Sequence, residues 1–557
     1  MLCWLALSLN QVGAQTVYVP SSHWVYDYLD RLETRGVLPD VLAGTKPMTR
    51  LEIASLLTEL ITYQQSGGRL STTDAERLRF LSHEFMEEIE QLGFSSAPYT
   101  SDPARLVTAK PFRAWLPDFV YGNGRNLFAF ASDPVKVYWD PIFYRSGLYA
   151  NADTLSSREQ VFEDGNGFVM WGTLGNRVGF LTDIRDTREW GTRTYPGKKN
   201  TTREGLGFVR GAGDHIYHDE TIASVVYHHK YLTLQFGKDV NRWGPGYSGQ
   251  LALSDRATSY DLFKVQVAGK KIKFTALYGL LQHYNGNFFR DGHQEKSLAA
   301  HRLEFSPLRF LDIGLHEIVL FAGRRIEPSY LNPVMFYRSA EHYLGDRDNV
   351  TMGLDFEVKG LYRTKLYGEL FIDDITTSRL GTGFYGNKYA YLLGLYHVDV
   401  LGVDNLDFRL EYARVRPYTY THKNDLTAYR HYSTGLGHWI GPNADDIFVQ
   451  LSYQYSRRLG IKLHYEKTRH GANPPGMNYG GDLFRSHLTS RDPEYVDFLQ
   501  GILDKTHSFA ALLSYEFFRN GFLKIQYRHF YGTRTWQQTL DFPGRRNEVV
   551  VMLSLNY

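Results

Sequence analysis

Two short segments of the chain combine side chains that could bind a sugar. Their members are Asn241, Arg242 and Trp243 in the first segment, and Arg325, Tyr330 and Asn332 in the second. Sugars present apolar ring faces to Trp and Tyr, and their hydroxyl groups exchange hydrogen bonds with Asn and Arg. Both segments interrupt the strand pattern with Gly or Pro. We therefore predict that they lie on loops or strand ends and contact an acidic or neutral polysaccharide.

A purely structural interpretation of the first segment stays open. The residues Gly244-Pro245-Gly246 that follow it are typical of a turn. Arg242 could then simply bridge carboxylates inside the fold, without contacting a ligand.

Sequence motifs for catalysis are poorly represented. The chain contains no His-Glu-x-x-His, no Gly-x-Ser-x-Gly elbow and no phosphate-binding loop, and its 20 His are scattered. The adjacent pair Asp373-Asp374 could supply an acid and a base, but neighbouring residues on a strand point to opposite faces. We therefore expect no enzyme, no metal site and no cofactor.

Composition limits the kind of element that can position these residues. The chain has 557 residues, of which 15% are aromatic and 43% hydrophobic, with a mean hydropathy of -0.37. After the first dozen positions no apolar run approaches the roughly 18 residues that a membrane-spanning helix needs. The net charge of +2 does not indicate the strongly basic surface that nucleic-acid-binding proteins use to contact phosphates.

Strands with one apolar and one polar face dominate the chain after residue 111. In 447–456, for example, Ile447, Val449 and Leu451 alternate with Gln450 and Ser452. At about 25 residues for a strand and its connection, 111–557 gives about 18 strands, an even number typical of outer-membrane barrels. The sequence therefore predicts an all-β fold, a transmembrane antiparallel barrel in the bacterial outer membrane that contacts its lipid. The terminal aromatic Tyr557 supports this prediction.

Charged residues alternate with the apolar ones, and their parity predicts which way they face. The residues predicted to point into the lumen, mainly to fill it, are Asp355, Glu357, Glu369, Asp373, Asp407, Arg409 and Glu411. Glu317 breaks the pattern, because it shares the parity of Leu315 and Val319 and would face lipid at a cost of about 2 kcal/mol or more at mid-depth. A bulge or a position at the rim is therefore expected there.

The N-terminal part of the chain has a different, helical pattern. Residues 1–14, which contain Cys3, are interpreted as a signal peptide, and 15–110 as a small α-helical domain with a linker. Apolar residues at helical spacing predict one helix closed by Gly36, a second that opens with a capping box at Thr49 and Glu52, and a third that starts at Thr73.

The first two helices resemble a surface-layer homology module. The resemblance rests on Trp24, Tyr28, Gly36, Pro47 and the cluster 48–52. It implies binding of a peptidoglycan-linked polymer. Only one copy is present, whereas such modules usually act in sets, so a simple pair of packing helices stays an open alternative.

The segments around the candidate sugar-binding residues resemble the capsule assembly Wzi family. The resemblance runs from about 118 to 557, and its most specific parts are Arg242-Trp243-Gly244-Pro245-Gly246 and the stretch from Asn332-Pro333 to Asp373-Asp374. It implies an outer-membrane barrel that binds capsular or extracellular polysaccharide and assists its assembly or attachment. A diffusion porin anchored to the wall is the alternative, with the barrel domain at 111–557 in either case.

Overall fold

The computed structural model describes residues 16–38, 41–95, 120–152, 158–192, 206, 209–212, 214–283, 294–533 and 544–556. The predicted signal peptide, the linker after residue 95 and Tyr557 lie outside the described residues. Among the described residues, no helix is both long enough and apolar enough to cross a membrane.

Eighteen antiparallel strands close into one barrel, which confirms the predicted fold class. The strands are β1 (Val135–Ala152), β2 (Glu159–Leu174), β3 (Val178–Gly191), β4 (His215–His229), β5 (Leu232–Asp239), β6 (Tyr260–Ala268), β7 (Ile272–His283), β8 (Gln294–Leu308), β9 (Leu311–Ala322), β10 (Asn349–Leu361), β11 (Thr364–Asp374), β12 (Lys388–His397), β13 (Leu406–Val415), β14 (Ala444–Gln454), β15 (Leu459–Ala472), β16 (Ile502–Phe518), β17 (Gly521–Thr533) and β18 (Gly544–Leu555). Strand β18 pairs with β1 and completes the circle.

The two ends of the barrel differ in the length of their connections. Turns as short as 230–231, 309–310 and 519–520 lie at one end, and long loops such as 240–259, 416–443 and 473–501 lie at the other. Outer-membrane barrels have short periplasmic turns and long extracellular loops. This rule assigns the short turns to the periplasm and the long loops to the cell exterior.

Within residues 16–95, as far as the structure describes them, four helices form a compact unit ahead of the barrel. They are α1 (Val25–Thr34), α2 (Arg50–Gln65), α3 (Thr72–Glu84) and α4 (Met86–Gln91). The capping box of Thr49 and Glu52 is present as predicted. The third predicted helix begins one residue earlier than expected, with Ser71 as its N-cap, and a break at Phe85 separates it from α4.

This helical unit docks on the periplasmic ends of the strands through buried charges. Arg31 of α1 forms ion pairs with Asp74, with Asp399 in the turn before β13 and with Asp407 at the start of β13. Asp30 accepts a hydrogen bond from Arg409 at 2.7 Å. The two residues Thr45–Lys46 also pair, antiparallel, with Arg242–Trp243 of the loop that follows β5.

Two extracellular loops fold back into the barrel and pack against each other. The loops 240–259 and 416–443 contribute Leu251, Leu253, Tyr420 and Tyr429 to one buried cluster with inward residues of the strands. The Tyr420 hydroxyl donates to the Leu251 carbonyl at 2.9 Å, and the Tyr429 hydroxyl donates to the Ala252 carbonyl at 2.8 Å. The described residues therefore fill a large part of the lumen.

The loop between β9 and β10 packs against the outer face of the barrel. Its helices α5 (Pro328–Leu331) and α6 (Tyr337–Tyr343) bury outward residues of β8, β9 and β10. Beneath them, Glu317 faces outward, as its parity predicts, and is only 6% exposed. It contacts His301 at 3.1 Å and accepts a hydrogen bond from the Tyr337 backbone at 3.0 Å.

Of the two alternatives expected at Glu317, a bulge or a position at the rim, the bulge is wrong. The register of β9 is regular through this residue, opposite His301 on one side and Met352 on the other. A covering helix, rather than an irregular strand, removes the carboxylate from lipid, and one of its two oxygens, Oε2, receives the contacts of His301 and Tyr337.

Candidate functional site

The segment Asn241-Arg242-Trp243 lies inside the barrel. The side chain of Trp243 is fully buried, and Asn241 is 1% exposed. Arg242 donates to the Gly246 carbonyl at 2.7 Å and lines a cavity of about 800 Å³ between the helical unit and the strands. The segment lies on the loop that follows β5, but the expected stacking face of the indole is not open, because Trp243 is buried and the segment pairs with Thr45–Lys46. A role in glycan binding stays a prediction.

The second predicted segment lies far from the first, at the extracellular edge of the outer wall. Tyr330 is 1% exposed, and its hydroxyl donates to Asp348 at 2.8 Å. The Arg325 side chain is 71% exposed and pairs with Glu295 at 2.7 Å, while Asn332 is exposed. The structure does not bring the two segments together, so they do not form a single site.

The predicted lumenal residues all point inward. Each one forms a hydrogen bond or an ion pair with another part of the fold. Glu369 accepts hydrogen bonds at 2.7 Å from the backbones of Gly246 and Leu251. Asp373 accepts one from the Tyr420 backbone at 2.7 Å.

Two more of the predicted lumenal residues, Asp355 and Arg409, make ion pairs. Asp355 receives two hydrogen bonds from Arg302 at 2.5 and 2.8 Å, and Arg409 holds Asp30 of α1. Burial raises the pKa of Asp30, but the ammonium of Lys365 and the guanidinium of Arg409 outweigh it and hold the pKa below its usual range. Asp30 is therefore ionised at neutral pH.

The extracellular loops 375–387, 416–443 and 473–501 assemble an aromatic surface, which we call the loop platform. Its rings belong to Phe384, Tyr385, His487 and Tyr495, and they pack over the fully buried ring of Tyr418. Backbone pairing joins two of the loops, because the Tyr385 N–H donates to the Glu494 carbonyl at 3.0 Å and the Val496 N–H donates to the Gly383 carbonyl at 2.8 Å.

The rings of the loop platform pack against one another. Tyr385 stacks on His487 with 3.5 Å between ring centroids and 9° between planes. Tyr418 meets the same imidazole edge-on at 5.2 Å. The Tyr495 ring lies 6.2 Å from Phe384 and is 49% exposed. Tyr495 therefore presents an aromatic face to the exterior from a fixed position.

Charged groups surround these rings. The Arg379 guanidinium lies 4.4 Å from the centre of the Phe384 ring and pairs with Glu494 at 2.5 Å. Burial lowers the pKa of His487, so a neutral imidazole stacks on Tyr385. Burial raises the pKa of Asp492, but the Leu488 backbone N–H and the Asn478 amide outweigh it and hold the pKa below its usual range.

This arrangement is chemically suited to a saccharide. The exposed Tyr495 ring can stack on the apolar face of a sugar, while guanidinium and carboxylate groups exchange hydrogen bonds with its hydroxyl groups. Sequence reasoning missed the loop platform, because its members come from three loops. The available signal was the concentration of Tyr and His in long gaps between strands, such as Tyr418, Tyr420 and His422.

Residues 208–507, more than half of the chain, match the family described as capsule assembly protein Wzi. The chain belongs to this family. The Wzi resemblance expected from the sequence is thereby confirmed, and the protein is an outer-membrane β-barrel.

Solved structures add a likeness in fold. An Escherichia coli Wzi structure, described as an outer membrane protein involved in group 1 capsule assembly and a carbohydrate-binding β-barrel, is 15% identical with a TM-score of 0.55, over 97% of this chain and 99% of that one. An Acinetobacter baumannii OccAB1 structure is 9% identical with a TM-score of 0.44, over 75% and 96% of the two chains.

One further similarity involves a much longer protein. The outer membrane protein SlpA of Deinococcus radiodurans is 31% identical over 110 residues, which cover 19% of this chain. The matched part spans only 9% of the length of SlpA.

Proposed function

We propose that this protein binds a surface polysaccharide with the loop platform and assists its assembly or attachment at the outer membrane. The observation that carries the proposal is the packed aromatic and charged surface on the extracellular side of a Wzi-family barrel. The exposed ring of Tyr495, beside Arg379 and Glu494, offers both a stacking face and hydrogen-bonding groups.

Membership of the Wzi family supports this proposal, and so does the filled lumen. Loops 240–259 and 416–443 occupy the inside of the barrel, and the helical unit covers its periplasmic mouth. A polymer would therefore meet the protein at its outer surface. The exposed Arg325 and Asn332 form a second, peripheral contact in this proposal. Asn241, Arg242 and Trp243 support the loops from inside the barrel, and Tyr330 supports the loop on the outer wall.

The proposal is tested by titrating purified surface polysaccharide into the detergent-solubilised protein. The variant combines Tyr495→Ala with Arg379→Gln. A lost stacking face is worth about 1 kcal/mol, and with the lost guanidinium we expect about tenfold weaker binding.

The matched control is Tyr455→Ala, because Tyr455 is 65% exposed but lies in the periplasmic turn after β14. It should bind like the wild type. Equal affinity of all three proteins, with normal barrel assembly, contradicts the assignment of the site.

A further inference from the structure

The outer wall of the barrel carries a groove that the loop platform does not include. This shallow groove, of about 510 Å³, is lined by Tyr465, His507, Phe509, His529, Tyr531 and Arg545. All six belong to β15–β18, near the extracellular ends of these strands. They share the parity of the outward apolar residues Leu463 and Val549, so the groove opens away from the lumen.

Strand register arranges the outward residues of β15–β18 in rows that change in character. The first row, in the apolar band, is Leu463, Ala511, Tyr527 and Val549, and the second is Tyr465, Phe509, His529 and Asn547. Closer to the strand ends, the third row is Lys467, His507, Tyr531 and Arg545, and the fourth is Arg469, Lys505 and Thr533. The wall thus passes from apolar, through aromatic, to cationic.

The aromatic and imidazole groups of the groove are fixed by contacts among themselves. The Tyr465 and Phe509 rings lie 4.7 Å apart. The Tyr465 hydroxyl lies 2.8 Å from Nδ1 of His507, and Nδ1 of His529 lies 2.8 Å from the Asn547 amide oxygen. The groove therefore has a defined shape before any ligand arrives.

The charged side chains on the outward face of β15–β18 are all positive among the described residues. Among the described residues of β15–β18, no carboxylate takes an outward position, whereas Lys467, Arg469, Lys505 and Arg545 all do. Arg469 pairs with Asp445 of β14 at 2.8 Å. Elsewhere the outward face differs, since Asp186 and Asp219 lie opposite each other on β3 and β4.

We infer that this groove binds the phosphorylated headgroup of an outer-leaflet glycolipid. Phosphate oxygens accept strong hydrogen bonds from guanidinium and ammonium groups, and aromatic residues suit the membrane interface. The apolar rows below would contact the acyl chains of the same molecule. Such a ligand explains the apolar, aromatic and cationic rows together, whereas a polysaccharide alone would leave the apolar rows unused.

The test measures binding of lipid A carrying both phosphates, and of its dephosphorylated product, to the detergent-purified full chain by native mass spectrometry. The variant replaces Lys467, Lys505 and Arg545 with Gln. We expect the wild type to prefer the phosphorylated lipid about tenfold and the variant to lose most of that preference.

The matched control is Arg145→Gln, because Arg145 is an exposed, outward arginine of β1 away from the groove. It should keep the preference, and heat-modifiable migration should show that every variant is folded. Equal binding of both lipids by the wild type, or an unchanged preference in the variant, overturns the inference. So does a variant that loses only its binding of lipid-free polysaccharide.

Discussion

Trp243 joins the helical unit, a lumenal loop and the barrel wall through one residue. Its backbone N–H donates to the Leu253 carbonyl at 2.8 Å, and its register partner is Thr45 of the helical unit. Its ring lies 6.5 Å from that of His316 on β9. Tryptophan is a residue type that suits sugar stacking, but Trp243 is buried where the helical unit, a lumenal loop and the barrel wall meet.

We expect Trp243→Ala to destabilise the protein by about 3–5 kcal/mol, because it leaves a cavity in the lumenal cluster. Denaturant unfolding, followed by the loss of heat-modifiable migration, measures this effect. Trp139→Ala is the control, since Trp139 is an outward, half-buried residue of β1 and should cost less. Unchanged stability combined with weaker polysaccharide binding would instead favour direct glycan contact by Trp243.

Helix α1 is the element through which the helical unit holds the barrel. Arg31 contacts three carboxylates, and Glu33 accepts hydrogen bonds from Lys359 at 3.0 Å and Lys365 at 3.1 Å. Apart from Asp74 of α3, these partners lie on β10, on β11, in the turn before β13 and at the start of β13. Because the charges are buried, removing one leaves its partners uncompensated.

Arg31→Ala should loosen the docking of the helical unit, since Asp399 and Asp407 would lose their main cation. Removing one member of a buried ion pair costs about 3–5 kcal/mol. We expect much faster cleavage within the helical unit during limited proteolysis of the membrane-inserted protein. Arg79→Ala on the exposed side of α3 should behave like the wild type. Equal cleavage rates for the two variants would show that Arg31 does not hold the unit.

The sequence predicts well those elements that are determined by interactions between residues close together in the chain. Alternation in 447–456 predicts β14, and the capping box at Thr49 predicts the start of α2, because both patterns depend on near neighbours. The break at Phe85 and the helix over Glu317 depend on packing partners distant in sequence. For the same reason the sequence did not reveal the loop platform, in which Tyr385 and His487 meet across two loops.

At the scale of the whole molecule, both ends of the barrel are occupied by other parts of the chain. The helical unit covers the periplasmic mouth, and the two lumenal loops pack within. We therefore expect little steady conductance from the full chain in a planar lipid bilayer. The porin alternative predicts stable conductance steps of uniform size, and recording such steps would revive it.

Attachment to the cell wall stays a prediction for the helical unit. If the resemblance to a surface-layer module reflects function, purified wall material should sediment the full-length protein more than a variant lacking 21–93. The deleted protein must still be an inserted, heat-modifiable barrel for the comparison to count. Equal sedimentation would leave docking on the barrel as the role that the structure supports for this unit.

The most direct test of the central claim is the fraction of surface polysaccharide that stays with washed cells. Cells lacking the protein would be complemented with the wild type, with Tyr495→Ala plus Arg379→Gln, or with Tyr455→Ala, at matched amounts in the outer membrane. We predict that the wild type and Tyr455→Ala restore retention and that the platform variant restores little of it. Full retention with the platform variant, or none with the wild type, would contradict the account.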